Sequence, residues 1–278
     1  MTPISLILIL VNFLVSWKGF RDRSFYERYS FNIEKVLVYK EYYRLITSGF
    51  LHVGWGHLIW NMISLYAFSG SVESSLGPLQ FLLIYFTALV GGDLLSLFIH
   101  RHHGEYSSVG ASAGVCGIIF ASIAVFPGMS VGFILLPIAI PGWVYGLAYV
   151  LISIYGIRSK NENVGHDAHL GGAMIGMMVA LLFRPEAFTY NLPTILLISV
   201  PCIVFMYIIA TKPHVLLVDS SFSRNQRRYY SIDHRYNAQK VEEQMEIDRI
   251  LDKIGKSGMS SLTRKEKEAL ERHSRTVK

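Results

Sequence analysis

Apolar residues fill the first 211 positions of the chain in long runs that short polar connections separate. Seven of these runs come close to or reach the roughly 20 residues that a helix needs to cross the hydrocarbon core of a bilayer. They cover residues 3–17, 57–77, 79–99, 110–127, 131–155, 168–184 and 191–211. The pattern predicts an all-α fold, namely a polytopic membrane protein.

The chain changes character after residue 211, where charged residues become dense and no long apolar run remains. This boundary predicts a membrane domain over 1–190, an extra hydrophobic segment and seventh span over 191–211, and a basic helical soluble tail over 212–278. In the tail, apolar residues recur at helical spacing over 241–254, and Thr263 with Glu266 has the spacing of a capping box. We therefore expect a second tail helix to begin at Thr263.

Composition agrees with a membrane location. Hydrophobic residues make up 51% of the chain and charged residues only 17%, whereas soluble domains average about 25% charged residues. The net charge of +6 lies mostly in the tail, where anionic lipid headgroups explain it more simply than nucleic acid. Cys116 and Cys202 fall inside apolar runs, which predicts buried thiols. We expect membrane lipids as partners, no nucleic acid, and neither a metal nor a cofactor.

Polar residues at the start of three apolar runs carry the functional signal, because burying them in lipid is costly unless a cavity or partner receives them. They are His57 and Asn61 in the second run, Ser112 after Gly110 in the fourth, and His169 before Gly172 in the sixth. Successive spans alternate in direction, so these three runs begin on the same side of the bilayer. The spacing predicts that the polar groups lie at one depth, within roughly 10 Å of the helix starts.

These residue types suit nucleophilic catalysis. A serine hydroxyl is a weak nucleophile until a base accepts its proton, and neutral imidazole suits that task near pH 7. We predict Ser112 as the nucleophile and His169 as its base, brought together by glycine-rich helix packing. Side chains of His57 and Asn61, with the backbone N–H of Ser112, suit stabilisation of an oxyanion. Asp167, two residues before His169, would point elsewhere on a helix, so we predict a dyad.

Four stretches within residues 40–176 together resemble the rhomboid family of intramembrane serine proteases: EYYRLITSGFLHVGWGHLIWNM, SGSVESSLG, GASAG and AHLGGAMIG. The resemblance implies a rhomboid-like six-helix core with Ser112 on the fourth helix and His169 on the sixth. It also implies that His57 and Asn61 line the oxyanion hole and that His52 is the outer histidine of the second-helix motif. In SGSVESSLG, Glu73 matches a structural polar residue of the family.

The implied activity is that of a serine endopeptidase acting on single-span membrane proteins. Members of the family hydrolyse peptide bonds in or next to transmembrane helices, and they favour small residues at the cut and helix-breaking residues after it. Unwinding matters because a helical peptide bond is shielded from attack. Gly110, Cys116 and Gly172 are expected to support the site.

Three positions depart from the family's pattern. The usual Gly-x-Ser-Gly reads GASA over 110–113, so Ala113 brings a methyl group that we expect to lie close to the oxyanion site. One turn after the serine, Cys116 stands where many members have a tyrosine on which the base stacks. Another residue must then fix the imidazole, or it is held less firmly. The family's Trp-Arg pair in the first loop appears as Tyr43 and Arg44.

Other interpretations of the same residues are open. A catalytically inactive rhomboid-like protein that binds membrane clients would be expected to lack the serine or the base, yet both are present. GASAG taken alone is typical of a helix-packing run. A transporter would show inverted repeats with broken helices, for which Pro137 and Pro141 in the fifth run are the sole hint. Those prolines alternatively loosen the fifth helix as a lateral gate.

Two arguments disagree about the side of the membrane that carries the site. That side has seven Lys and Arg over 18–56, one over 100–109 and two over 156–167, which favours the cytosol. The family resemblance implies the extracytoplasmic side, and we follow it. The expected location is a bacterial inner or plasma membrane. The side of the tail, the oligomeric state and the physiological substrate stay open.

Overall fold

The computed structural model describes residues 2–101, 103–133, 136–158 and 165–211, and eight positions of the tail between 250 and 270. Over 2–211, within these described ranges, the chain forms eleven α-helices and four short strands. In order, they are α1 (Pro3–Arg21), α2 (Arg23–Tyr29), β1 (Phe31–Asn32), α3 (Ile33–Leu37), α4 (Arg44–Thr47), α5 (Trp55–Leu76), α6 (Pro78–His100), β2 (Ser107–Ser108), α7 (Ser112–Val125), β3 (Ser130–Phe133), β4 (Leu136–Pro141), α8 (Gly142–Arg158), α9 (His166–Phe183), α10 (Ala187–Tyr190) and α11 (Leu192–Thr211).

The long helices confirm the predicted all-α, polytopic architecture. Helices α1, α6, α9 and α11 are long and apolar enough to cross a membrane, and α7 and α8 are shorter apolar helices. Residues exposed on α1 and α11 are mainly large and apolar, as expected for helices that face lipid. Helix α7 is the central helix, since every residue from Ala113 to Val125 is buried.

The predicted fifth span over 131–155 is wrong in nearly its first half, residues 131–141. That segment forms an antiparallel hairpin of β3 and β4, in which Val131 pairs with Ile140, and α8 begins only after Pro141. A proline lacks the N–H that a helix interior requires, and Pro141 is tolerated as the last residue of a strand. The prolines therefore lie outside α8 and cannot loosen it, which also removes the hint of a broken transporter helix.

Glycines allow α7, α9 and α6 to pack with their backbones in close contact. A Cβ added at Gly176 would overlap the backbone of Gly117, and one at Gly172 would overlap the backbone of Ala113. These two pairs advance in the same direction along both helices, so α7 and α9 are parallel, as predicted. Gly92 of α6 lies against the methyl group of Ala113 from the other side. The three helices thus form the centre of the membrane domain.

Polar contacts fix the outer segments to this centre. The carboxylate of Glu73, near the end of α5, accepts hydrogen bonds from the backbone N–H groups of Ile4 (3.1 Å) and Ser5 (2.9 Å) at the start of α1. Arg44 is buried and donates to the carbonyls of Glu27 (2.8 Å) and Ser30 (2.6 Å), which anchors the loop between α1 and α5. Both residues therefore have structural roles.

Residue contacts divide the chain into two compact units, Met1–Ser220 and Ser221–Lys278. In the second unit, the backbone N–H of Thr263 donates to the Glu266 carboxylate (2.7 Å), and the Thr263 hydroxyl accepts from the Glu266 backbone N–H (3.3 Å). These reciprocal bonds confirm the predicted capping box. The predicted first tail helix falls largely outside the described residues.

The glycine contacts generate a stability prediction. Gly176→Ala should lower the free energy of unfolding by about 1–3 kcal/mol, because the new methyl group has to separate α9 from α7. Gly70→Ala in α5 is the matched control, since a Cβ there meets nothing within 4 Å. We expect that control to be neutral or to stabilise by up to about 1 kcal/mol. The measurement is unfolding by SDS titration in mixed micelles, and equal effects of the two substitutions would contradict the packing argument.

Candidate active site

The starts of α7 and α9 bring a serine and a histidine together. Ser112 is the first residue of α7, and His169 lies in the first turn of α9. The Nε2 atom of His169 is 2.7 Å from the Oγ atom of Ser112, a hydrogen-bond distance. Because the first N–H groups of a helix have no intrahelical acceptor, the backbone N–H of Ser112 is available to a bound group.

Gly110 and Gly172 are both needed for this geometry. Gly110 has a φ of +140°, a conformation that favours glycine, and a Cβ there would come 2.7 Å from Cε1 of His57. The imidazole of His57 therefore lies directly against the turn that leads into Ser112. Gly172, one turn after His169, lets α9 approach the backbone of Ala113. That both glycines support catalysis stays a prediction.

The two predicted oxyanion side chains differ in their surroundings. The Nδ1 atom of His57 is buried and has no hydrogen-bond partner among the described residues. Asn61 lies one turn further along α5, where its amide nitrogen donates to the carbonyl of His57 at 3.0 Å. An amide carries two N–H donors, so this bond leaves the second N–H of Asn61 available. The structure brings His57 next to Gly110, whereas the hydrogen bond that Asn61 donates remains within α5.

His52 connects α1 to the start of α7. Its Nε2 atom accepts from the backbone N–H of Ala111 at 3.5 Å, and Nδ1 is 2.8 Å from the hydroxyl of Ser16. Since Nε2 is the acceptor, Nδ1 carries the proton and donates to Ser16, whose hydroxyl donates onward to the carbonyl of Phe50 (2.9 Å). Burial, assisted by the neighbouring His57, lowers the pKa of His52 to about 3. The imidazole is therefore neutral.

Tyr149 of α8 is a site residue that the sequence reasoning missed. Its hydroxyl oxygen is 2.9 Å from Nδ1 of His169 and 3.0 Å from Sγ of Cys116. The rings of Tyr149 and His169 have centroids 6.3 Å apart, so they do not stack. The only signal in the sequence was the pair of tyrosines Tyr145 and Tyr149 at helical spacing, inside a span whose boundaries were predicted wrongly.

The methyl group of Ala113 does not point into the site. Ala113 is buried against Leu89 and Ala168 and contacts Gly92 on α6. A side chain that packs towards α6 leaves the opposite side of the turn open. The expectation that this methyl group lies close to the oxyanion site is therefore wrong.

The acidic residues near the site have other partners. Asp167 is paired with His100 (3.2 Å), and Asp93 accepts from the hydroxyl of Ser48 (3.1 Å). Neither carboxylate contacts His169 in the described hydrogen bonds, as the prediction of a dyad requires. Within the described ranges, no group of three or more His, Cys, Asp or Glu residues is placed to hold a metal ion.

Fold and site together define a class: a polytopic helical membrane protein with a hydrogen-bonded serine–histidine pair at the starts of two parallel helices. Comparison with known families makes this specific. Residues 39–186 match the model of the Rhomboid domain, which covers more than half of the chain. The chain belongs to the rhomboid family. Residues 230–276 match a family of unknown function, DUF6576.

Curated relatives agree with this assignment. The chain is 25% identical over 202 residues to RHOMBOID-like protein 12, mitochondrial, of Arabidopsis thaliana, which covers 67% of the chain and 60% of the relative. It is 30% identical over 138 residues to Rhomboid protein 1, mitochondrial, of Saccharomyces cerevisiae, and the matched region is 48% of the chain and 40% of that relative. It is 28% identical over 172 residues to Rhomboid protease GluP of Bacillus subtilis, and the matched region is 60% of the chain and 32% of that relative. The chain thus matches between about a third and 60% of these relatives' lengths.

The environment of His52 predicts a pH dependence of stability. Below about pH 6.5 the unfolded chain binds a proton at this histidine that the folded chain does not bind until about pH 3. The free energy of unfolding should therefore fall as pH falls, by up to about 1.4 kcal/mol per pH unit from this group. His52→Gln should reduce the loss of stability between pH 7.5 and 5, measured by SDS unfolding at each pH.

Ser16→Ala is the matched control. It removes the partner of Nδ1 but keeps the titrating imidazole, so it should lower stability at every pH and retain the wild-type slope. If His52→Gln also retains that slope, His52 does not contribute to the acid sensitivity.

Proposed function

We propose that the protein is an intramembrane serine endopeptidase that hydrolyses peptide bonds in or next to transmembrane helices of membrane-protein substrates. One observation carries the proposal, namely the 2.7 Å separation between Ser112 Oγ and His169 Nε2. Membership of the rhomboid family supports it, and so does the name of one relative, Rhomboid protease GluP. The names of the Arabidopsis and yeast relatives state no activity.

The proposed reaction begins with transfer of the hydroxyl proton of Ser112 to Nε2 of His169 as Oγ attacks the scissile carbonyl. The resulting imidazolium then protonates the leaving amine nitrogen, which releases one product and leaves an acyl-enzyme. Water then gives a proton to Nε2 as its oxygen attacks the ester carbonyl, and Nε2 returns that proton to Ser112 Oγ as the acyl bond breaks, which releases the second product and restores the dyad. Every proton in the cycle is exchanged at Nε2, which accepts from a hydroxyl group and donates back first to the leaving amine and then to Ser112 Oγ, so Nδ1 keeps its proton throughout.

Developing negative charge on the carbonyl oxygen would be stabilised at the start of α7. The backbone N–H of Ser112 and the positive end of the α7 dipole favour an anion there. The Cε1–Nε2 edge of the His57 ring lies beside Gly110, and Asn61 has a second N–H besides the one that donates within α5, so both side chains are proposed as donors to the oxyanion. These are neutral donors, which cost less to bury in a membrane domain than a charged group.

The length of α7 supports proteolysis within the membrane. Its 14 residues span about 21 Å, which is shorter than the roughly 30 Å hydrocarbon core. A nucleophile at the start of such a helix lies below the membrane surface if the other end reaches the opposite surface. The proposed substrate, a single-span helix that unwinds near the cut, can present a peptide bond at that depth.

The proposed active site opens to the extracytoplasmic side, which the family resemblance supports and the distribution of basic residues opposes. Two relatives described above are named mitochondrial and one is bacterial. The predicted bacterial plasma membrane gains no support from the mitochondrial relatives. Integral, multi-pass membrane association is common to every interpretation.

Cleavage of a single-span reporter with a helix-destabilised segment tests the proposal. In liposomes, Ser112→Ala and His169→Ala should each lower kcat by about 1000-fold or more, because each removes one member of the reacting pair. Ser122→Ala is the matched control, since Ser122 is the other serine of α7 and is buried, where it donates to the carbonyl of Ile118 (3.0 Å). We expect it to cleave at the wild-type rate.

If wild type, Ser112→Ala and His169→Ala behave alike, the endopeptidase proposal is wrong. Equal binding of the reporter by all three proteins would then favour the alternative function, a rhomboid-like protein that binds membrane clients without cleaving them. Co-purification of the reporter with each variant measures that binding.

Ala113→Gly restores the glycine that the family usually has after the nucleophile. Because the Ala113 methyl group packs against α6, we expect kcat to stay within about twofold of wild type. The free energy of unfolding should fall by up to about 1 kcal/mol, the usual cost of glycine within a helix. A large increase in kcat would instead show that the methyl group obstructs the oxyanion site.

A further inference from the structure

A tyrosine, a thiol and the base of the proposed dyad form a continuous contact across three helices. The Tyr149 hydroxyl, on α8, lies between Nδ1 of His169 on α9 and Sγ of Cys116 on α7. The phenol ring also makes an edge contact with Phe120 and stacks beside Tyr145. The ring of Tyr149 thus packs against other aromatic rings, while its hydroxyl makes the hydrogen bonds.

The direction of each hydrogen bond follows from the dyad. If the Ser112 hydroxyl donates a hydrogen bond to Nε2, the neutral imidazole of His169 carries its single N–H on Nδ1. That N–H donates to the Tyr149 oxygen, and the Tyr149 O–H then has Cys116 Sγ as its acceptor. The Ser112 O–H, the His169 N–H and the Tyr149 O–H each have an acceptor in this arrangement of protons.

We infer that Tyr149, held by Cys116, is the positioning residue that fixes the tautomer and orientation of His169. The inference rests on the proposed endopeptidase function. When Ser112 gives its proton to Nε2, the imidazolium keeps its Nδ1–H bond to the phenol, and that bond becomes charge-assisted. Tyr149 remains protonated throughout, so no net proton transfer passes beyond His169.

Among the described residues no carboxylate contacts His169, which makes its hydrogen bond to the phenol important. Asp167 is engaged with His100 and Asp93 with Ser48, so neither supplies the acceptor that a third catalytic member would. A neutral phenol avoids the free-energy cost of burying an unpaired charge in a membrane domain. Cys116 thereby accounts for the departure from the family's pattern, since the thiol holds an aromatic hydroxyl from another helix in place of a stacking ring.

Tyr149→Phe removes the hydroxyl and keeps the ring. In the full-length protein in liposomes, we expect kcat for the reporter to fall by about 10-fold or more, with KM changed by less than twofold. Labelling of Ser112 by a fluorophosphonate probe should slow in parallel. Tyr145→Phe is the matched control, one helical turn away on the same helix, and should retain the wild-type kcat and labelling rate.

A second pair of variants separates hydrogen bonding from packing. Cys116→Ser keeps a polar acceptor for the Tyr149 hydroxyl, whereas Cys116→Ala removes it, and both side chains are smaller than cysteine. We expect Cys116→Ser to retain several-fold more activity than Cys116→Ala. A purely structural role of Cys116 predicts that serine is no better than alanine in this buried position.

The failure of this inference is distinguishable from failure of the proposed function. If wild type cleaves and is labelled at Ser112, but Tyr149→Phe matches it in both assays, only the positioning role is overturned. If wild type neither cleaves nor is labelled, the endopeptidase proposal fails and the role of Tyr149 fails with it. A loss of activity that Tyr145→Phe shares to the same extent also overturns the inference.

Discussion

The close approach of α7 and α9 is the constraint on which the rest of the membrane domain depends. A hydroxyl and an imidazole meet at hydrogen-bond distance only if the two backbones are nearly in contact, and Gly172 and Gly176 provide that contact. In lipid there is little hydrophobic force to press helices together, so van der Waals contact between small residues has to hold them. Helix α6 completes the arrangement, because Gly92 leaves space for the methyl group of Ala113 and so lets α6 pack closely against α7.

Around this contact, two polar side chains near the serine–histidine pair, His52 and Tyr149, hydrogen-bond to other neutral groups. His52 joins a serine hydroxyl to a backbone N–H, and Tyr149 joins an imidazole to a thiol. The described carboxylates are engaged elsewhere: Asp167 with His100, Asp93 with Ser48, and Glu73 with the start of α1. An interior of low dielectric constant penalises charge more than hydrogen-bonding dipoles. The site therefore relies on geometry more than on fixed charge.

The sequence allowed prediction of the helical membrane fold and of the parallel starts of α5, α7 and α9, because hydrophobic length and alternation of direction are properties of the chain alone. It also singled out Ser112 and His169, because polar residues at the start of an apolar run are costly to bury in lipid unless a cavity or partner receives them. The hairpin of β3 and β4 escaped prediction because an apolar strand and an apolar helix have the same hydropathy. Tyr149 escaped because an evenly apolar helix gives no indication of which face turns inward.

The burial of α7 has a consequence for the bilayer itself. Every residue after Ser112 in this helix is surrounded by protein, so lipid chains contact other helices instead. Hydrophobic mismatch between protein and bilayer then acts on outer helices such as α1 and α11, which respond by tilting at a cost of a fraction of a kcal/mol per Å. A change in membrane thickness would thus tilt the periphery while the serine and histidine keep their separation.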